Sequence, residues 1–176
     1  MKLKYSVYGN CQANALARSL NLIPEFRKRY NWIPCKAVQN INKNEITSIL
    51  DIISSLDLII YQNVSENYYR MPELSTNKIL GFLPNMAVKI SIPSFYFNGY
   101  FPHLDSLLNL QSITNLVHDY NVLGGYVQNI PENDLYEIIS DDNFYSKEEV
   151  LNYCEISLRN LANRESQNNI DVRQKR

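Results

Sequence analysis

The chain holds only 5 glycines in 176 residues. None belongs to a Gly-x-Gly-x-x-Gly run or a phosphate-binding loop, so dinucleotide and nucleoside-triphosphate sites lose their main support. Cysteine is equally sparse. Cys11, Cys35 and Cys154 are odd in number and widely spaced, which excludes a disulfide framework. No Cys-x-x-Cys pair exists, so a zinc ribbon or finger is excluded as well. No apolar run approaches the roughly 18 residues that span a bilayer. Neither sign of charge dominates: 17 basic residues stand against 18 acidic ones, for a net charge of -1. A dedicated nucleic-acid binder carries a basic excess or stripe, so nucleic acid is not expected as a partner. Met1 to Tyr8 has two lysines but no apolar signal core. A soluble, reduced, cytoplasmic protein is expected, and a membrane surface stays open as a partner.

What is present reads as globular. The hydrophobic fraction is 45% and the charged fraction 20%. Asparagine (23) and tyrosine (13) are abundant but spread along the whole chain, as compositional bias would leave them. Lys2 to Tyr8 reads as a buried strand that ends in a tight turn at Gly9. Ala13, Leu16, Ala17 and Leu20 then fall on one face of a helix, with Asn10 or Asn14 as its cap. Trp32 to Val38 is a second strand, made imperfect by Pro34. Ile46, Ile49, Leu50 and Ile53 predict a helix over Glu45 to Leu56, capped by Asn42 or Asn44. Asp57 to Tyr61 is the continuous apolar strand of a sheet buried on both faces. Ser75 to Leu83 predicts a short helix, and Val88 to Ile92 a strand ending at Pro93.

This β-α-β-α-β-α-β order predicts an α/β fold. It is a three-layer α/β/α sandwich with a mainly parallel, flavodoxin-like sheet and a helical C-terminal part. Residues 1–165 are read as one domain, helix-rich from about 104, and 166–176 as a polar tail. Leu104 to Val117 is expected to be helical and His118 to Pro131 turn-rich. Ser146-x-x-Glu149 is a capping box that opens a helix to about Glu165. Ligands of open parallel sheets sit at the carboxyl ends of the strands. Asn10 to Gln12, Gln62 to Glu66 and Ser94 to His103 should therefore meet on one edge.

Gly9-Asn10-Cys11-Gln12 stands where a helix start favours negative charge and offers N–H groups to an anion or oxyanion. It is also readable as a tight turn, a cap and a small filler. His103 and His118 are the only histidines, hence the candidate general bases, or else partly exposed structural residues. Cys35 and Cys154 read as core fillers. Phe95, Tyr96, Phe97, Tyr100 and Phe101 form an aromatic cluster, either core or a wall for a flat or extended ligand.

Several segments together resemble the WcbI-type polysaccharide biosynthesis proteins of bacteria. They are Val7-Tyr8-Gly9-Asn10-Cys11-Gln12-Ala13, Ile60-Tyr61-Gln62, Ile92 through Pro102, His118-Asp119-Tyr120, and Ser157-Leu158 to Arg164-Glu165. The resemblance implies a cytoplasmic enzyme of capsule or exopolysaccharide assembly. It implies an acetyltransferase that binds coenzyme A and acts on a hydroxyl of a sugar or polysaccharide precursor. In that reading His103 or His118 deprotonates the sugar, and the Cys11 N–H with Asn10 and Gln12 or Gln62 holds the oxyanion. Cys11 can instead take the acyl group. Gly9, Ser94, Asn98 and Tyr100 complete the substrate and coenzyme A site, and no metal is implied. The opening also resembles SGNH-type hydrolases, with Gly9-Asn10-Cys11 in the place of Gly-Asp-Ser, which implies an esterase or deacetylase as the alternative. A shortened, non-catalytic binding module is the third reading. WcbI-type proteins are longer, with an Asn-His-Pro segment that these 176 residues do not contain.

Overall fold

A computed structural model describes residues 2–68, 71–97, 104–105 and 118–170. The chain divides into two compact units, Met1–Phe95 with Asn163–Arg176, and Tyr96–Ala162.

The first unit is a four-stranded sheet of β1 (Leu3–Tyr8), β2 (Tyr30–Trp32), β3 (Leu58–Gln62) and β4 (Val88–Ile92), in the order β2-β1-β3-β4. All neighbours are parallel, with Tyr5 opposite both Trp32 and Leu58, and Gln62 opposite Ile92. This is the order of a flavodoxin-like sheet, whose direction of winding reverses beside β1. The connections are helical: α1 (Cys11–Leu22) and α2 (Pro24–Arg29) join β1 to β2, α3 (Ile46–Ser54) leads to β3, and α4 (Thr76–Gly81) leads to β4.

Alternation along the strands separates two cores. Tyr5, Val7, Leu58, Ile60 and Ile92 pack with Ala13 and Ala17 of α1. Tyr8 and Ile59 point the other way and pack with Ile49 and Ile53 of α3 and Ile79 of α4. Both faces of the sheet are thus covered, which is why β3 reads as an unbroken apolar run. Small residues at 13 and 17 let α1 lie close enough for the Tyr5 hydroxyl to donate to the Ala17 carbonyl at 3.1 Å.

The expected strands and the helices α1, α3 and α4 are all found. The second strand is shorter and earlier than its apolar pattern suggests. It stops at Trp32 because Pro34 offers no N–H to a ladder. The expected Asn42 cap is present but sits on the 3-10 turn Lys43–Glu45 that leads into α3. The Asn42 N–H donates to Glu45 at 3.0 Å, and Glu45 also pairs with Lys36. Asn169, in the segment read as a polar tail, bonds to β4. Its side chain accepts from the Ser91 N–H at 2.8 Å, and its own N–H donates to the Ser91 hydroxyl at 2.9 Å.

The second unit holds a two-residue antiparallel pair, β5 (Leu104–Asp105) with β6 (His118–Asp119), and helices α5 (Tyr120–Val127) and α6 (Glu132–Ile139). Helix α7 (Lys147–Glu165) begins in this unit and ends in the first. Two expectations are corrected. Residues 104–105 are extended rather than helical, while 106–117 lie outside the described residues. The segment expected to be turns carries α5. Asp119 caps it by accepting from the N–H groups of Asn121 and Val122. Gly125 is tolerated in it because a Cβ there would lie 2.6 Å from Leu135 of α6.

The capping box of α7 is present as expected: the Ser146 hydroxyl and N–H both donate to Glu149, and the Glu149 N–H donates back at 3.2 Å. Those two Ser146 donors, the hydroxyl foremost, hold the Glu149 carboxyl below its ordinary range. A depressed carboxylate pKa stabilises the folded state above the unfolded value and ceases to do so as pH falls through the folded one. Amide protection in the first turn of α7, taken relative to the intrinsic exchange rate at each pH, should therefore fall on acidification. A Glu149→Gln chain that keeps the same acid dependence would contradict this.

Candidate functional site

The carboxyl ends of β1, β3 and β4 meet around one side chain. Gln62 ends β3 and is 2% exposed. A buried amide without partners is costly, so its hydrogen bonds decide what surrounds it. Its Oε1 accepts from the Asn10 N–H at 2.9 Å. Its Nε2 donates to Gln12 Oε1 at 3.1 Å and, at 3.5 Å, to the Pro93 carbonyl. Gln12 extends the clamp: Oε1 accepts from the Phe95 N–H at 2.8 Å, and Nε2 donates to the Phe95 carbonyl at 2.9 Å. Two glutamine amides thus bind all three loops together.

The first loop is shaped by this clamp. Gly9 lies against Gln62 so closely that a Cβ would sit 2.3 Å from Oε1 and 2.9 Å from the Gln62 Cβ, and its φ is +155°. Its carbonyl accepts from the Val38 N–H at 2.9 Å. Asn10 then caps α1, its side chain accepting from the Gln12 N–H at 2.9 Å. Cys11 is the first residue of α1 and is exposed. The second loop is held by Thr76 at the start of α4, whose Oγ1 accepts from the Val64 N–H at 2.7 Å. Beneath the turn the buried Tyr8 hydroxyl donates to the Leu74 carbonyl at 2.5 Å. Burial above all, with Cys35 and Tyr68 nearby, keeps that phenol neutral far into the alkaline range.

The three cysteines occupy different environments. Cys35 is in the core, and burial pushes its thiol up to about 11. Cys154 is half-buried on α7. Cys11 alone is both exposed and placed at the clamped edge.

Gly9, Asn10, Cys11, Gln12 and Gln62 are therefore brought together, with Ser94 between the clamped Pro93 and Phe95. The amides of Gln12 and Gln62 are committed to the loops themselves, which makes both positioning residues. Asn98, Tyr100 and His103 lie outside the described residues. His118 contributes backbone to β6 of the second unit. The Phe95 backbone and Thr76 had no signal in the sequence. Phe95 acts through its peptide groups, which any residue but proline would supply, and Thr76 read only as part of a helix.

The model of the polysaccharide biosynthesis enzyme family WcbI matches residues 4–175. The chain belongs to that family. No curated protein sequence matches the chain. A solved structure of WcbI, described as a novel polysaccharide biosynthesis enzyme, aligns with a TM-score of 0.79 at 26% identity. That protein is described as the native form without a disulfide bond between coenzyme A and one of its cysteines. The match covers 94% of this chain and 54% of that one, so the chain spans about half the length of the solved relative.

Two outcomes follow. Gly9→Ala forces Gln62 aside and should destabilise the fold by about 1–3 kcal/mol, the usual range for overpacking, measured by urea unfolding; an unchanged midpoint would contradict the close approach. An alkylating reagent limited to short exposure should label Cys11 in the native chain and Cys35 only after unfolding, read by peptide mass spectrometry. Equal labelling of the two would contradict the assigned environments.

Proposed function

We propose that this chain forms the coenzyme A-binding part of an acyltransferase that moves an acetyl group onto a sugar hydroxyl in polysaccharide biosynthesis. The observation that carries the reading is the exposed Cys11 at the first position of α1, on a loop clamped by Gln62 and Gln12. Family membership supports the pathway class, and the relative's description ties coenzyme A to a cysteine.

In this mechanism the acyl thioester carbonyl arrives against Cys11. Its Sγ attacks the carbonyl carbon, and the tetrahedral oxyanion forms beside the Cys11 N–H at the start of α1. A preorganised donor at such a position is commonly worth about 3 kcal/mol of barrier. The carbon–sulfur bond to coenzyme A breaks, and free coenzyme A leaves with a proton. The sugar hydroxyl then attacks acyl-Cys11 and gives its proton to a base, and the Cys11 sulfur is released. The base is assigned to one of the two histidines, His103 or His118, on chemical grounds. Ser94, Asn98 and Tyr100 are assigned to the coenzyme A and acceptor contacts. The aromatic run from Phe95 supplies a wall for the pantetheine arm.

Titrating the whole chain with coenzyme A and with acetyl-coenzyme A, and acetate as control, should raise the melting temperature saturably. Ligand at a hundredfold excess over its dissociation constant stabilises by about 2.7 kcal/mol. Mixing with acetyl-coenzyme A and no acceptor should leave an acetyl group on Cys11, lost in Cys11→Ala. No shift with either ligand would overturn the coenzyme A reading. Turnover kept in both Cys11→Ser and Cys11→Ala would overturn the covalent step. Acetate release from a model ester without coenzyme A would move the chain to the hydrolase reading.

A further inference from the structure

The opposite edge of the sheet, where the parallel strands begin, carries an unusual surface. Leu3 of β1 lies beside Tyr30 of β2 in register. This places the backbone of the exposed Lys2 beside the end of α2, which reads Arg27-Lys28-Arg29 and is exposed at all three positions, while the Lys2 and Lys4 side chains leave the same edge from the other face of the sheet. The loop from α1 into α2 sits at the same edge, because α1 runs back along β1. There Leu22 is 82% and Ile23 46% exposed, and Leu3 is 38% exposed. Arg18, one turn before Leu22 on α1, is exposed as well.

The bases of this edge are not spent on acids. Among the described residues the ion pair is Lys36 with Glu45, elsewhere in the fold. The nearby acids are Glu25 on α2 and Asp57, whose carboxylate accepts from the Lys4 N–H at 2.7 Å. Arg29 lies over the Tyr30 ring, 5.6 Å from its centroid, which holds its guanidinium near the rim. Six bases stand against these two acids and Asp51 in the last turn of α3, a local positive excess in a chain with net charge -1.

We infer that this edge docks on an anionic phospholipid surface. Two features together select a bilayer over a soluble polyanion. The basic rim complements lipid phosphates, and the exposed Leu22 and Ile23 beside it can enter the apolar phase beyond the headgroups, which a soluble polyanion does not offer. A chain bound this way carries Cys11 at the far end of α1, about 18 Å of helix away from the surface. The clamped loops then face away from the lipid. The inference does not rest on the acyltransferase reading, because its surface lies at the opposite edge from the loops that reading uses.

Co-sedimentation of the full chain with phosphatidylcholine vesicles, with and without phosphatidylglycerol, tests it. Binding should require phosphatidylglycerol and weaken as salt is raised. Each base near such a surface is worth roughly fivefold in partitioning. Arg27→Gln, Lys28→Gln and Arg29→Gln in one chain should therefore reduce binding on the order of a hundredfold. Leu22→Gln with Ile23→Gln should reduce it severalfold, with the remaining binding fully removed by salt. All five positions are exposed, so circular dichroism and the melting temperature should stay as in the parent chain. No binding at low salt, or unchanged binding in the triple variant, would overturn the inference. Unchanged binding in the Leu22/Ile23 variant would mean attraction to any polyanion and would equally overturn it. So would a dimer, seen by light scattering, that either variant abolishes, since the edge would then belong to a second copy.

Discussion

A neutral amide buried at the end of the central strand must find its hydrogen bonds nearby, and in this protein the two neighbouring loops supply them. Gln62 accepts from the Asn10 N–H and donates to Gln12 and Pro93. An unsatisfied buried amide costs about 1–3 kcal/mol per group, so the loops are not independent of one another. Their common constraint explains several features that would otherwise be separate. Gly9 is glycine because Gln62 fills the space of its Cβ. Gln12 turns its amide inward to Phe95 instead of outward to solvent. Cys11, between two committed residues, is left facing out at the start of α1.

Much of this is legible in the sequence where local chemistry and tertiary structure agree. The β1, β3 and β4 strands are buried on both faces or end at a clear breaker, the Ser146 cap matches its helix, and Asn10 is one of the two caps that the pattern offers α1. The convergence of three loops follows from the parallel topology alone. Elements that depend on partners are not legible. Helix α2 is six residues long, with Pro24 at its first position and no apolar period. Helix α5 contains Gly124-Gly125, which reads as a turn until Leu135 is seen against Gly125. The clamp itself is half legible. Gln12 and Gln62 stand out as polar residues at strand ends, but their pairing uses the Phe95 and Pro93 backbone, which carries no residue signature.

The two edges of the sheet have different physics. The carboxyl edge is polar and tightly hydrogen-bonded, and it holds the exposed thiol. The opposite edge is basic and apolar, and its bases make no ion pair among the described residues. Family membership with the WcbI polysaccharide biosynthesis enzymes gives the first edge its chemical context. The second edge is a property of this chain's own residues from Lys2 to Tyr30.

The central claim is that Gln12 and Gln62 act as one unit that shapes the Cys11 loop. A double-mutant cycle tests it most directly, with Gln12→Ala, Gln62→Ala and the double variant compared for coenzyme A affinity and for unfolding free energy. Residues in one hydrogen-bond network couple by about 0.5–3 kcal/mol. The account predicts coupling of at least about 1 kcal/mol in both quantities, with the double variant little worse than Gln62→Ala alone. Additive effects within about 0.3 kcal/mol would mean that the two amides act separately, and would contradict it.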